Sequence, residues 1–213
     1  MGSKIVERAA FIYDEISKLY PNALCELNHT NALELMIAIM LSAQTTDIAV
    51  NKVTKSLFEK YKSIDDYIIA PLEEIEEELR YLGLYKNKAK NIKGMVQIIK
   101  EKYHGEFLND QDILESLPGV GRKTANVFLA EWYKVPRIAV DTHVKRISAR
   151  LGLAEFDDSP ENVEKKLMKV YPKSQWISTH HKFIFFGRYF CKAIHPNCEL
   201  CTMTHICKTP FLK

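Results

Sequence analysis

Leu117-Pro118-Gly119-Val120-Gly121-Arg122-Lys123 joins two helical stretches through a tight turn. The segment before it reads as helix to about Ser116, and after it Ala125, Phe128, Leu129 and Trp132 recur at helical spacing. Gly119 and Gly121 stand one residue apart, where glycine admits backbone angles closed to other residues and lets the main chain approach an anion. The following helix turns its unsatisfied N–H groups and the positive end of its dipole toward the same turn, so a phosphate would be held there by backbone alone. A plain interhelical turn would use the same residues, and the motif by itself leaves both readings open.

The neighbouring segments are helical too. Ile5, Ala9, Ile12, Ile16 and Leu19 recur at spacings of three and four and predict a first helix ending before Pro21. Asn31 and Glu34 offer a cap and its reciprocal partner at the start of Leu33 to Leu41, a run apolar on every side and so expected to be a central buried helix. Ala89, Ile92, Met95, Val96, Ile99 and Tyr103 mark another helix, as do Val144, Ile147 and Leu151. Val163, Leu167 and Val170 mark a further one, with Ser159 as its cap and Pro160 in its first turn. No segment shows sustained two-residue alternation between hairpin turns, so the fold class is all-α. Repeats, low-complexity tracts and Pro/Gly-rich linkers are absent, and composition draws no domain boundary.

At 213 residues, with 46% apolar and 27% charged side chains, the chain has material for one sizeable core or two small ones and the make-up of an ordinary globular protein. Its longest apolar stretch, Leu35 to Leu41, falls far short of the ~20 residues that span a bilayer. The N-terminus lacks the apolar block of a secretion signal, and Val6 stands where myristoylation needs Ser or Thr. An intracellular protein with no membrane partner is expected, cytoplasmic and nucleoid-associated in a prokaryote. The net charge of +3 is too small to imply nucleic acid on its own. Acid gathers at Glu73, Glu74, Glu76, Glu77 and Glu78; base gathers from Lys86 to Lys93 and around Arg122, Lys123, Lys145, Arg146 and Arg150. Each such run reads first as a solvated helix face.

Four of the five cysteines, Cys191, Cys198, Cys201 and Cys207, form a C-x6-C-x2-C-x5-C array, while Cys25 stands alone and reads as a small buried apolar residue. Disulfides are not expected inside a cell. Four thiols gathered by short loops are the ligand set of a zinc ion or of an iron–sulfur cluster. Zinc sites more often show two C-x2-C knuckles and this array has one, so spacing leans toward iron and sulfur without deciding it. His195 and His205 read as non-ligands, because four thiolates complete either site.

Lys123 falls in the first turn of the helix behind the glycine turn, an odd place for a cation. The positive helix end and partial burial would each lower the pKa of its amine. At the ordinary value only about one lysine in 2,500 is neutral at pH 7, so a nucleophilic lysine needs such surroundings. A lysine that merely contacts phosphate beside Arg122 needs none. Eighteen residues on, in Val140-Asp141-Thr142-His143-Val144, Asp141 has the position of a helix N-cap. A carboxylate opposite Lys123 would instead take its proton or stabilise positive charge on a sugar ring. Spacing does not choose between these roles.

Taken together, these residues resemble the endonuclease III family of DNA glycosylases. The resemblance rests on Leu41-Ser42-Ala43-Gln44-Thr45-Thr46-Asp47, on Gly83-Leu84-Tyr85 with Lys88-Ala89, on Leu117 to Ala125, on Val140 to Val144, on Arg150-Leu151-Gly152-Leu153 and on the four cysteines. It implies a helix-hairpin-helix glycosylase of two helical lobes with a DNA cleft between them. One lobe would be contiguous over residues 25–134. The other would combine residues 1–24 with 135–213 and carry a 4Fe-4S cluster on Cys191, Cys198, Cys201 and Cys207.

The resemblance also implies the chemistry. A damaged nucleotide flips out of double-stranded DNA, Lys123 attacks C1′ of its sugar, and the base leaves a covalent imine. Loss of a proton from C2′ then cuts the strand by β-elimination, which makes the protein a bifunctional glycosylase and AP lyase. Asp141 would assist attack or stabilise the cationic sugar. Gln44 would fill the vacated space and Leu84 would wedge the base stack, while Gly119, Gly121, Arg122 and His143 would contact DNA. The bland readings of Gln44 and Leu84 are a helix-end polar residue and a core leucine. Oxidised pyrimidines and abasic sites are the implied substrates, and a monomer is expected. Mismatch adenine glycosylases share the turn, the aspartate and the cysteines but lack the lysine and carry a further C-terminal domain; Lys123, and a chain ending six residues after Cys207, favour the bifunctional enzyme. Lys86 stands where many members have Asn. The reading from another class is a non-catalytic helix-hairpin-helix DNA-binding protein with a structural metal site, in which Lys123 only touches phosphate. A small electron-transfer protein would leave the long helical chain upstream of the cysteines unexplained.

Overall fold

The computed structural model describes residues 2–209. Among them the chain forms α1 (Gly2–Leu19), α2 (Ala32–Leu41), α3 (Asp47–Lys60), α4 (Ile64–Ile69), α5 (Leu72–Leu79), α6 (Tyr85–Tyr103), α7 (Gln111–Glu115), α8 (Arg122–Glu131), α9 (Thr142–Arg150), α10 (Pro160–Val170) and α11 (Trp176–Phe185), and no strand. The all-α class is as read. No helix among the described residues is long and apolar enough to cross a membrane. The chain divides into two compact units, one of Glu26–Tyr133 and one of Met1–Cys25 with Lys134–Lys213.

In the unit Glu26–Tyr133, α2 is the centre. Leu33 and every residue from Leu35 to Leu41 are buried, with α3, α6 and α8 packed around them. Burying each such Leu, Ile or Met contributes about 1.5–3 kcal/mol, which is why a helix apolar on all sides takes this position. Asn31 Oδ1 accepts the Glu34 N–H at 2.9 Å as expected. The Glu34 carboxylate turns back one residue further than expected, onto the Thr30 N–H at 2.6 Å and the Thr30 hydroxyl at 2.9 Å. Thr30 offers two donors on one residue, which outcompetes the single Asn31 N–H. The acidic run lies on α5, where Ile75 and Leu79 face inward and Lys60 reaches Glu74 and Glu78 at 3.4 and 3.1 Å.

In the basic run from Lys86 to Lys93, Lys86 and Lys90 are exposed as read, while Lys88 and Lys93 depart from the reading of a solvated face. Lys88 is buried, and Lys93 Nζ donates to the carbonyls of Tyr67, Ile68 and Ala70 at 3.1, 2.8 and 2.7 Å. The reason is packing: α6 lies against both α4 and α5, and a lysine on that side must bury its stem and spend its ammonium on the open carbonyls of a helix end.

The second unit has its own core, in which Ile12 and Ile16 of α1 meet Val144 and Ile147 of α9, Val163 and Leu167 of α10, and Phe183 and Phe186. Ser159 caps α10 through the Asn162 N–H, with Pro160 in the first turn. After α11 the helix widens into a π-helical stretch over Phe186–Phe190 that delivers Cys191. Gly187 makes this possible, since a Cβ there would lie 3.0 Å from His143 Cβ and 3.2 Å from the Arg146 guanidinium. Cys25, expected to be buried, is only half-buried, because it sits in the coil after α1 and outside either core.

Candidate active site and cysteine cluster

The glycine turn closes through a Val120 N–H to Leu117 carbonyl bond of 3.0 Å. Gly119 has φ +77°, and a Cβ there would meet the Asn91 side chain at 2.8 Å, so conformation and space both require glycine. Gly121 differs from expectation. Its φ of −98° and ψ of 179° are extended backbone open to any residue, and nothing lies near its missing Cβ. Its contribution is as the N-cap of α8 that makes no side-chain hydrogen bond, leaving the first N–H groups of the helix uncovered. We therefore expect Gly119→Ala to cost about 1–3 kcal/mol in urea unfolding, and Gly121→Ala to change stability by less than about 1 kcal/mol.

Lys123 stands in the first turn of α8 and is exposed. The partial burial expected of it is not found, because the buried face of α8 begins only at Ala125. Arg122 is exposed beside it, with its guanidinium 4.0 Å from the Glu115 carboxylate.

Gln44 and Leu84 share an unusual backbone. Both are non-glycine residues in the left-handed region, at φ 54° and φ 59°, and both are exposed. That conformation costs about 1–2 kcal/mol for a residue with a Cβ. Leu84, the residue preceding α6, is 56% exposed, so the reading of it as a core leucine is excluded. Gln44 lies beyond the α2 C-cap, Ser42, in the short link to α3. His104, Lys134 and His195 share this left-handed backbone and are exposed as well.

In the other unit Asp141 is the N-cap of α9. Its Oδ1 accepts the Val144 N–H at 2.8 Å, so the capping role is real. His143, half-buried, places Nδ1 3.2 Å from the Arg146 guanidinium, which donates onward to the carbonyls of Gly187 at 2.7 Å and Cys191 at 3.3 Å.

Cys191, Cys198, Cys201 and Cys207 are half-buried and line one cavity with Arg150, Leu151, Phe186 and Phe190. His195 and His205 do not line it; the His205 ring lies tilted against that of Phe11, centroids 5.5 Å apart. Among the described residues no three His, Cys, Asp or Glu side chains converge closely enough to hold a single metal ion. Four thiols around a shared apolar cavity are a donor set for a metal centre. Burial pushes the Cys191 and Cys201 thiols up. Arg150, itself buried, opposes this at Cys191, donating to its Sγ at 3.3 Å and to the carbonyls of Lys192 and Ala193 at 2.7 and 3.0 Å. Arg8 holds the far side of the loop through the carbonyls of Leu151 and Ile206, at 3.3 and 3.2 Å. Sequence reasoning assigned neither arginine to the cysteine loop, and only the presence of Arg150 among the family-like segments hinted at it.

A family model for the HhH-GPD superfamily of base excision DNA repair proteins matches residues 37–173. Endonuclease III of Bacillus subtilis (strain 168) is 51% identical over 203 residues, covering 95% of this chain and 93% of that protein. A solved structure of a trapped endonuclease III–DNA covalent intermediate is 54% identical, with a TM-score of 0.93, and covers 95% of each chain. A non-covalent endonuclease III–DNA complex superposes equally well, at 54% identity, a TM-score of 0.94 and the same coverage. The chain belongs to the endonuclease III family within the HhH-GPD superfamily.

Proposed function

We propose that Lys123 is the nucleophile with which this base-excision DNA glycosylase and AP lyase acts, and that its substrates are oxidised pyrimidines and abasic sites in double-stranded DNA. The observation that carries the reading is an exposed lysine in the uncapped first turn of α8, directly behind the glycine turn. Backbone N–H groups at that helix start suit a DNA phosphate, with Arg122 adding charge. Capture of a 54%-identical endonuclease III as a covalent intermediate with DNA supports an amine that bonds to substrate.

The sequence of events follows from those groups. Strand distortion by Leu84, with Gln44 in the vacated space, releases the damaged nucleotide from the stack. The neutral amine of Lys123 bonds to C1′ as the base departs with the glycosidic electron pair, and the Asp141 carboxylate serves as base or as counter-charge to the cationic sugar. The sugar ring then opens, O4′ leaving C1′ and taking up a proton as the nitrogen lone pair forms the imine; the imine acidifies C2′, removal of the C2′ proton expels the 3′ phosphate, and hydrolysis of the imine frees Lys123. His143 lies in the same stretch as Asp141 and contacts the DNA backbone.

The donor set of Cys191, Cys198, Cys201 and Cys207 would hold a 4Fe-4S cluster, which when bound would fasten the C-terminal loop to the body of its unit. Purified protein is expected to contain iron and inorganic sulfide in equal amounts and to absorb near the edge of the visible; zinc in their place would overturn this assignment. A monomer acting in the cytoplasm at the nucleoid fits these parts. The test of the nucleophile is borohydride reduction during reaction with an abasic-site duplex: a covalent adduct is expected, and an active enzyme yielding none would sink the assignment.

A further inference from the structure

Lys88 belongs to no part of this mechanism, yet it is one of few buried charged residues in its unit, 6% exposed. Its side chain reaches one of the two left-handed segments described above, and its backbone belongs to the helical turn that follows the other: the main-chain N–H of Lys88 makes the first intrahelical bond of α6, to the carbonyl of the N-cap Leu84 at 3.0 Å. Its Nζ donates to Thr45 Oγ1 at 2.8 Å. Thr45, next to Gln44, closes the loop on itself, its hydroxyl reaching the Ala43 carbonyl at 3.2 Å and its N–H the Ser42 carbonyl at 3.2 Å. Gln44 is thus flanked by bonds that converge on Thr45, and the Lys88 side chain ties that loop to the first turn of α6, which starts directly after Leu84. We propose that Lys88 is a positioning residue that fixes the Gln44 loop and the Leu84 turn against each other, so that both side chains are already aimed at the duplex before it binds.

This inference rests on the reading that Gln44 and Leu84 enter DNA. A fold-stabilising role explains the residue poorly. Burial pushes the Lys88 amine below the usual lysine range, meaning that the ammonium is held there against its desolvation cost. A methionine would fill the space without that cost. Stability is spent here to order two left-handed, exposed residues, and the return is a recognition surface that loses little freedom on binding.

The experiment compares Lys88→Met, Thr45→Val, the double variant, Lys88→Arg, Gln44→Ala and Leu84→Ala in the cluster-loaded full chain. It measures melting temperature and affinity for a duplex carrying a non-cleavable tetrahydrofuran abasic analogue. Lys88→Met and Thr45→Val should each weaken binding about tenfold, the scale of a mispositioned contact residue. The double variant should be no weaker than either single, as expected for two ends of one bond. Lys88→Arg, which still donates, should recover part of the loss, and the melting temperature of Lys88→Met should stay level or rise. Wild-type binding by Lys88→Met and Thr45→Val, while Gln44→Ala and Leu84→Ala bind weakly, overturns the inference and leaves the duplex-entry reading standing. Wild-type binding by Gln44→Ala and Leu84→Ala removes that reading and the inference with it. A binding loss in Lys88→Met that comes with a lowered melting temperature and is not shared by Thr45→Val shows a structural role and also overturns it.

Discussion

Lys123→Ala should abolish the borohydride-trapped adduct and lower strand cleavage at an abasic site by at least about 10³-fold, the loss seen when a nucleophile is removed. Binding to the same duplex should weaken by no more than about tenfold, the share of a single phosphate-reaching cation. The fold gives this variant an unusually clean interpretation. Lys123 is exposed, and among the described residues it makes no hydrogen bond or ion pair, so its removal breaks nothing. A cation in the first turn of α8 opposes the helix dipole, which makes the alanine variant neutral or more stable by about 0.3–1 kcal/mol. Lost activity therefore cannot be lost folding, and a melting curve run beside the assay establishes this. The non-catalytic alternative predicts a different pattern: no adduct from the parent protein, weaker binding in the variant, and a shallower dependence of affinity on salt. An adduct that persists in Lys123→Ala would transfer the chemistry to another amine.

What could be read before folding and what could not divides along physical lines. The helices α1, α2, α6, α9 and α10 were legible because their buried faces are written in apolar residues at helical spacing, and the caps Asn31, Asp141 and Ser159 because short polar side chains just ahead of such a stripe accept the first N–H groups of a helix, whatever else they do. By contrast α11 carries no such stripe, since Thr179, His180, His181 and Lys182 are among the residues it buries. Those polar groups are tolerated only through tertiary partners, such as the Ala139 carbonyl 2.7 Å from His180 Nδ1 and the Tyr13 ring 5.3 Å from Lys182 Nζ. Periodicity contains no record of such partners.

At the candidate site the limits are sharper. Gly119 and Gly121 look alike in sequence, but only Gly119 occupies the left-handed region. Leu84 and Gln44 carry no local sign of strain, because nothing in an ordinary leucine or glutamine predicts a positive φ; the packing of their segments imposes it. Lys88 belongs to a family-like segment, but its place in a basic run gives no sign of burial, which is the exception there. The one compositional shift, the cysteine-rich last fifth, does not coincide with a unit boundary, so the return of residues beyond Lys134 to the unit begun by α1 leaves no trace in composition. The cysteine array was legible as a metal-binding set, whereas Arg8, Arg146 and Arg150 around it became visible only once their carbonyl partners were in place.

Asp141→Asn should slow base excision by about 10²–10⁴-fold, the range of a lost acid–base group, with no change in melting temperature. The two halves of this expectation come from the two functions of one side chain. As the N-cap of α9, Asp141 accepts the Val144 N–H through Oδ1 at 2.8 Å, and an asparagine oxygen does this equally well. As a base or as the counter-charge to a cationic sugar it must be a carboxylate, and asparagine is not. Asp141→Ala loses both. It should be slow by a similar factor and also less stable by about 1 kcal/mol, a fall of about 2–4 °C in melting temperature for a chain of this size. Comparing the two variants separates cap from catalyst within one residue. Full activity in Asp141→Asn would show that the carboxylate is a cap alone.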